Sequence, residues 1–148
     1  PGTGAADYTG EGTGEGYTVN LPVPPGAGGP EFTALVEHVI VPIGREFEPD
    51  LIVISAGYDA HRDDPLASCG VETEDYGTMA ARLRDLGREL EAPIMVCLEG
   101  GYDPAALAAS VEATIRALDG DESAAAADSA PVAEHIERLR PRWAGLAS

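Results

Sequence analysis

The stretch Leu51-Ile52-Val53-Ile54-Ser55-Ala56-Gly57-Tyr58-Asp59-Ala60-His61-Arg62-Asp63-Asp64-Pro65-Leu66 opens on an apolar run and closes in turn-forming residues. A short apolar run with such a boundary reads as a buried strand. The pattern recurs at Pro93-Ile94-Met95-Val96-Cys97, which leads into Leu98-Glu99-Gly100-Gly101-Tyr102-Asp103. In parallel α/β sheets ligands bind beyond the carboxyl ends of the strands, so Asp59 and Tyr102 are expected on one rim. An oxygen ligand and a phenol donor placed together suit a hydrolase that uses a metal-activated water.

Between and around these strands the spacing predicts helices. Phe32, Leu35, Val36, Val39, Ile40, Ile43 and Phe47 form a wide apolar helix face, with Pro42 expected to remove the bond to the His38 carbonyl and kink it. Thr73 is expected to cap a helix whose inward face is Tyr76, Met79, Ala80, Leu83, Leu86 and Leu90. Asp103-Pro104 supplies an N-cap and first-turn proline for a helix burying Leu107, Val111, Ile115 and Leu118. Upstream, Tyr17 to Val23 alternates enough for a strand that Pro24-Pro25-Gly26 stops. The order strand, helix, strand, helix, strand, helix predicts a three-layer α/β fold, a parallel sheet with helices on both faces. Residues 119–130 lack any period and read as a linker, and 131–148 as a short helical tail that Pro141 interrupts and Trp143 anchors.

Composition narrows the function classes. The 148 residues carry a net charge of −17, and all nine basic residues are arginine. Such a surface repels a phosphate backbone, which argues against nucleic-acid binding, and it suits solvation in a salt-rich, halophilic cytoplasm. With no apolar run near 18 residues and no signal-peptide pattern, the expectation is a cytoplasmic protein that does not enter membranes. Cys69 and Cys97 lack CxxC spacing and are expected to be free. The Gly-rich start matches neither phosphate-loop pattern, so it reads as an irregular loop.

Four motifs taken in order resemble the carboxyl-terminal half of the histone deacetylase superfamily: Pro1-Gly2-Thr3-Gly4, Gly14-Glu15-Gly16-Tyr17-Thr18-Val19-Asn20-Leu21-Pro22, Ser55-Ala56-Gly57-Tyr58-Asp59-Ala60-His61 and Leu98-Glu99-Gly100-Gly101-Tyr102. That superfamily includes acetoin-utilisation-type deacetylases and acetylpolyamine amidohydrolases. The resemblance covers residues 1–118 and implies an arginase/deacetylase-like fold, incomplete here. It also implies hydrolysis of acetylated lysine or of an acetylated small amine, with Zn²⁺ as cofactor and Fe²⁺ as the alternative. Asp59 matches a zinc ligand, and Tyr102 the tyrosine that donates to the developing oxyanion. Leu66 matches a position where polyamine-preferring relatives carry Glu, and Gly100 and Gly101 fit as substrate-tunnel walls. The Tyr17 carbonyl resembles one contributor to a structural K⁺ site. Oligomeric state is not readable.

The family's other two zinc ligands lie in an Asp-x-His motif and its general-base pair in a His-His motif, and neither matches here. The three histidines, His38, His61 and His135, are never adjacent. The chain therefore reads as a fragment that begins within the domain, with a non-catalytic remnant or binding module of the same fold as the alternative. A di-metal ureohydrolase is disfavoured, because that chemistry has no role for Leu98 to Tyr102. Asp59-Ala60-His61 has ligand-like spacing, although a loop histidine turned to solvent is the commoner case. Asp63 and Asp64 read as groups behind the site or as loop charges, with Asp64-Pro65 shaping the turn.

Overall fold

The computed structural model describes residues 4–147; Pro1, Gly2 and Thr3 of the first motif lie outside the described residues. Two strands, β1 (Ile52–Ala56) and β2 (Ile94–Leu98), pair in parallel, with Val53 beside Met95 and Ser55 beside Cys97. Helix α3 (Thr73–Glu89) connects them and α4 (Pro104–Asp119) follows β2. Ile52, Ile54 and Ala56 turn one face of β1 onto the helices. Ile54 and Ala56 join a core of Tyr58, Val71, Tyr76, Phe32, Met79, Leu107 and Val111, while Ile52 packs with Val36, Val41 and Leu86. The other face carries Val53 and Met95, both about half exposed. The three-layer expectation is thus met on one face of the sheet, and the other is open in this chain.

The first helical region runs through α1 (Gly29–Leu35), a π-turn (Val36–Ile40) and α2 (Val41–Phe47). Pro42 has no N–H to donate to the His38 carbonyl. The expected kink takes the form of the π-turn just before it, where the Val41 N–H donates to the Val36 carbonyl five residues back. A third core cluster joins this region to the chain's end: Ala34, Leu35 and Val39 pack with Val132, Leu139 of α5 (Ala133–Leu139), Trp143 and Leu146.

Several local expectations are corrected. Residues 17–23 form no strand; Val19, Leu21 and Val23 instead pack their side chains against the Trp143 cluster. The cap of α3 is Glu72, whose N–H donates to Asp75 Oδ2 at 2.8 Å, while the Thr73 hydroxyl pairs with His61. Of the residues expected inward on helix α4, Leu107 and Val111 pack on the Tyr58 core but Ile115 is 59 % exposed, and the most buried positions are Ala106, Ser110 and Thr114. Small side chains let α4 lie close on α3, where a Cβ at Gly77 would sit 3.5 Å from the Ala113 carbonyl oxygen. Residues 120–129 have neither helix nor strand, yet they are pinned. Arg82 donates to the Ala125 carbonyl, buried Arg84 to the carbonyls of Ala117 and Glu122, and the Ala127 N–H to Glu37. Cys69 and Cys97 are free. Among the described residues no helix is long and apolar enough to cross a membrane.

Candidate active site

The parallel ladder continues past the ends of β1 and β2. The Glu99 N–H donates to the Ala56 carbonyl at 3.0 Å and the Tyr58 N–H to the Gly100 carbonyl at 2.9 Å. These bonds lay the 57–59 and 100–102 segments side by side. Tyr58 turns inward: its hydroxyl donates to Thr114 Oγ1 at 3.1 Å and its ring lies 5.0 Å from that of Tyr76. Its neighbour Asp59 fills the space left by the missing Gly100 side chain. A Cβ on Gly100 would lie 3.0 Å from the Asp59 carboxyl carbon. At Gly101 the backbone takes φ +129°, and a Cβ would lie 2.9 Å from Leu107 Cδ1 and 3.1 Å from Tyr58 Cβ. Both glycines are thus required by close approach, the second by conformation as well.

The loop after Asp59 doubles back on itself. The Arg62 N–H donates to the Val71 carbonyl, the Val71 N–H to the Ala60 carbonyl, and Arg62 forms an ion pair with Glu72. His61 is buried in this loop, contrary to the solvent-facing expectation. Its Nδ1 accepts from the Asp63 N–H at 3.1 Å, which leaves Nε2 to donate to Thr73 Oγ1 at 3.2 Å. Both ring nitrogens are used in holding the loop, so His61 is structural.

Asp64 has the larger role. The residue is only 7 % exposed and its carboxylate spans two segments: Oδ1 accepts from the Leu66 N–H at 2.9 Å and Oδ2 from the Tyr102 N–H at 2.7 Å. Burial acts to raise its pKa, but N–H donors from Leu66, Tyr102, Ala67 and Asp103 outweigh burial and hold it below the ordinary 3.8. Beneath the site the Tyr76 phenol is pushed above its ordinary pKa, first by burial and then by the charges of Asp59 and Asp64. Its hydroxyl donates to the Tyr58 carbonyl at 3.2 Å.

The structure sets Asp59 against Gly100, packs Gly101 on Tyr58 and Leu107, and joins Leu66 and Tyr102 through the Asp64 carboxylate they share. The Tyr102 side chain is 56 % exposed and that of Leu66 70 %, so both present their tips to solvent on the rim. Asp103 leaves the site to cap α4, accepting the Ala106 N–H at 2.7 Å. Tyr17 lines a separate cleft with Glu46, Arg142 and Trp143, its ring set edge-on at 5.8 Å from that of Phe47. The Asx turn of Asp64 onto Leu66 was legible in the sequence. Its bond to Tyr102 joins residues 38 apart and had no local signal.

Among the described residues no three or more His, Cys, Asp or Glu side chains converge to hold a metal ion. A catalytic zinc takes three protein ligands, so Asp59 alone does not make such a site.

The histone deacetylase domain model matches residues 1–118. The chain is 42 % identical over 141 residues to histone deacetylase 10, chloroplastic, of Oryza sativa subsp. japonica, a match covering 95 % of this chain and 32 % of that protein. It is 42 % identical over 124 residues to histone deacetylase HDA1 of Saccharomyces cerevisiae, covering 82 % of this chain and 17 % of that one. The crystal structure of the HDA15 HD domain superposes with a TM-score of 0.84 at 39 % identity, covering 99 % of this chain and 41 % of that one. The chain thus spans a third or less of the length of these curated relatives.

Proposed function

The chain belongs to the histone deacetylase family, and from that premise we propose that the full-length protein hydrolyses the acetyl amide of acetylated lysine, or of a related acetylated small amine, with this chain building one rim of the active site. The observation that carries this reading is the ladder beyond β1 and β2, which sets Asp59 against Gly100 and two residues from Tyr102. When water adds to an acetyl carbonyl, negative charge grows on the carbonyl oxygen. A phenol fixed on the rim stabilises a charge that is absent from the ground state, so it favours the transition state over the bound substrate. The Tyr102 hydroxyl is assigned this role.

Asp59 is assigned as one metal ligand, for Zn²⁺ or Fe²⁺. The remaining ligands and the base that takes the proton from water are assigned to residues outside this chain, since among the described residues no three such side chains converge. Gly100 and Gly101 are assigned to a narrow wall that a methylene chain passes closely. Exposed Leu66, whose backbone Asp64 fixes, is assigned to the entrance, where an apolar side chain suits a plain aliphatic stem.

The test is acetate release from an acetyl-lysine peptide and from an acetylated polyamine by the full-length protein, with metal content measured alongside. Asp59→Ala is expected to lose metal and activity together. Absence of acetate from either substrate with Zn²⁺ or Fe²⁺ supplied would favour the non-catalytic reading.

A further inference from the structure

We propose that Asp64 is a positioning residue for catalysis: its carboxylate holds the backbone of Tyr102 in register with the Asp59 loop, and so fixes where the Tyr102 hydroxyl lies. This rests on the role assigned to Tyr102 above. The segment is held before Tyr102 by the Gly100 carbonyl, which accepts from Tyr58, and after it by the Asp103 cap of α4, and the bond to Asp64 is what holds the Tyr102 N–H between them. Gly100 and Gly101 precede it, and glycine leaves the backbone more freedom than any other residue. Tyr102 is 56 % exposed. The Tyr102 N–H, by contrast, donates at 2.7 Å to the carboxylate of Asp64, a residue that is buried.

Asp64 is itself held firmly. Its own N–H donates to the His61 carbonyl at 2.9 Å, and its second oxygen accepts from Leu66. His61, locked between Asp63 and Thr73, ties that turn to the start of α3. A continuous set of hydrogen bonds therefore runs from α3 through His61 and Asp64 to Tyr102. The same carboxylate fixes Leu66, so the entrance residue and the donor tyrosine share one anchor. Charge suits such an anchor, because an ionised carboxylate accepts two N–H bonds at once and bonds to it are stronger than those to a neutral oxygen.

Asparagine has nearly the same shape, but it offers one oxygen and an NH₂ that faces a donor. Asp64→Asn therefore satisfies only one of Leu66 and Tyr102, while Asp64→Ala satisfies neither. In the full-length protein Asp64→Asn is expected to lower kcat on the order of ten- to a hundredfold, as for a misplaced group, with KM within about threefold of the parent. Amide hydrogen exchange at Tyr102 should quicken by roughly tenfold or more in Asp64→Ala, as for a lost charge-assisted bond. Because Asp64 acts through the hydroxyl, Asp64→Asn added to Tyr102→Phe should slow turnover no further.

A parental kcat in Asp64→Asn, or losses that multiply in the double variant, would overturn the proposal while leaving the role of Tyr102 intact. Tyr102→Phe at the parental rate would instead remove the reading on which it rests. If Asp64→Ala does not fold, the exchange measurement on Asp64→Asn replaces it, and unchanged protection at both Tyr102 and Leu66 overturns the anchor.

Discussion

Adding one methyl group to each of the two glycines before Tyr102 should do different kinds of damage. At Gly100 the new Cβ would stand 3.0 Å from the Asp59 carboxyl carbon and Oδ2 and 3.1 Å from Oδ1. Carbon contacts are comfortable at about 3.5–4.0 Å, so the carboxylate must retreat by roughly half an ångström. The Gly100 backbone is not in the left-handed region, so alanine brings no strain and gains about 0.4–1 kcal/mol through the unfolded chain, which offsets much of the crowding. A 1 Å misplacement costs about a hundredfold in rate, so half of that predicts a loss of roughly tenfold in turnover. At Gly101, φ of +129° and contacts of 2.9 Å to Leu107 and 3.1 Å to Tyr58 act on folding instead. Backbone strain of about 1–3 kcal/mol and overpacking of about 1–3 kcal/mol add there. At roughly 2–4 °C per kcal/mol, Gly101→Ala should lower Tm by several degrees or more, and Gly100→Ala by no more than about 2–4 °C. Thermal melts and acetate release from acetyl-lysine peptide, run on both variants of the full-length protein, separate the two effects. Equal falls in Tm, with turnover intact in Gly100→Ala, would refute the contact between Gly100 and Asp59 as the reason for that glycine.

Leu66→Glu should shift the ratio of kcat/KM for acetylspermidine over an acetyl-lysine peptide upward by roughly twofold to fivefold at low salt, the scale of an exposed charge pair; an unchanged ratio would place Leu66 away from the entrance. His135 should make stability fall as the solution is acidified. Burial first, and the charge of Arg138 second, hold its pKa below the ordinary 6.5. Below pH 6.5 the unfolded chain binds a proton that the folded one resists, so its contribution is present above that value and lost as pH drops through the folded pKa. Urea melts at pH 7.5 and 5.5 should show a smaller difference in His135→Gln than in the parent, and an equal one would count against the shift.

Strands β1 and β2, helices α3 and α4 and the Asp103 cap were legible because each rests on a local signal, an apolar run or a capping side chain followed by proline. What the sequence hid depends on partners distant along the chain. Residues 17–23 alternate like a strand, but their side chains pack on the Trp143 cluster and the backbone has no strand beside it. Helix α4 was read by its bulky residues, and Leu107 and Val111 do pack inward, but its most buried positions are the small Ala106, Ser110 and Thr114, and Ile115 turns outward. Pro42 was rightly read as a fault in the helix, but single-residue reasoning does not reveal that a π-turn absorbs it. The site motifs placed Asp59, Gly100 and Tyr102 on one rim. The bond that holds them in register, Asp64 to Tyr102, crosses from one motif to the other and could be seen only once the chain was folded.

If the Tyr102 hydroxyl stabilises the oxyanion of a deacetylation, kcat for acetate release in Tyr102→Phe of the full-length protein, with metal content measured on the same sample, reads that role out. The expected result is a loss on the order of a hundredfold or more with metal content unchanged, as for other lost oxyanion donors. Turnover within a few-fold of the parent would contradict it.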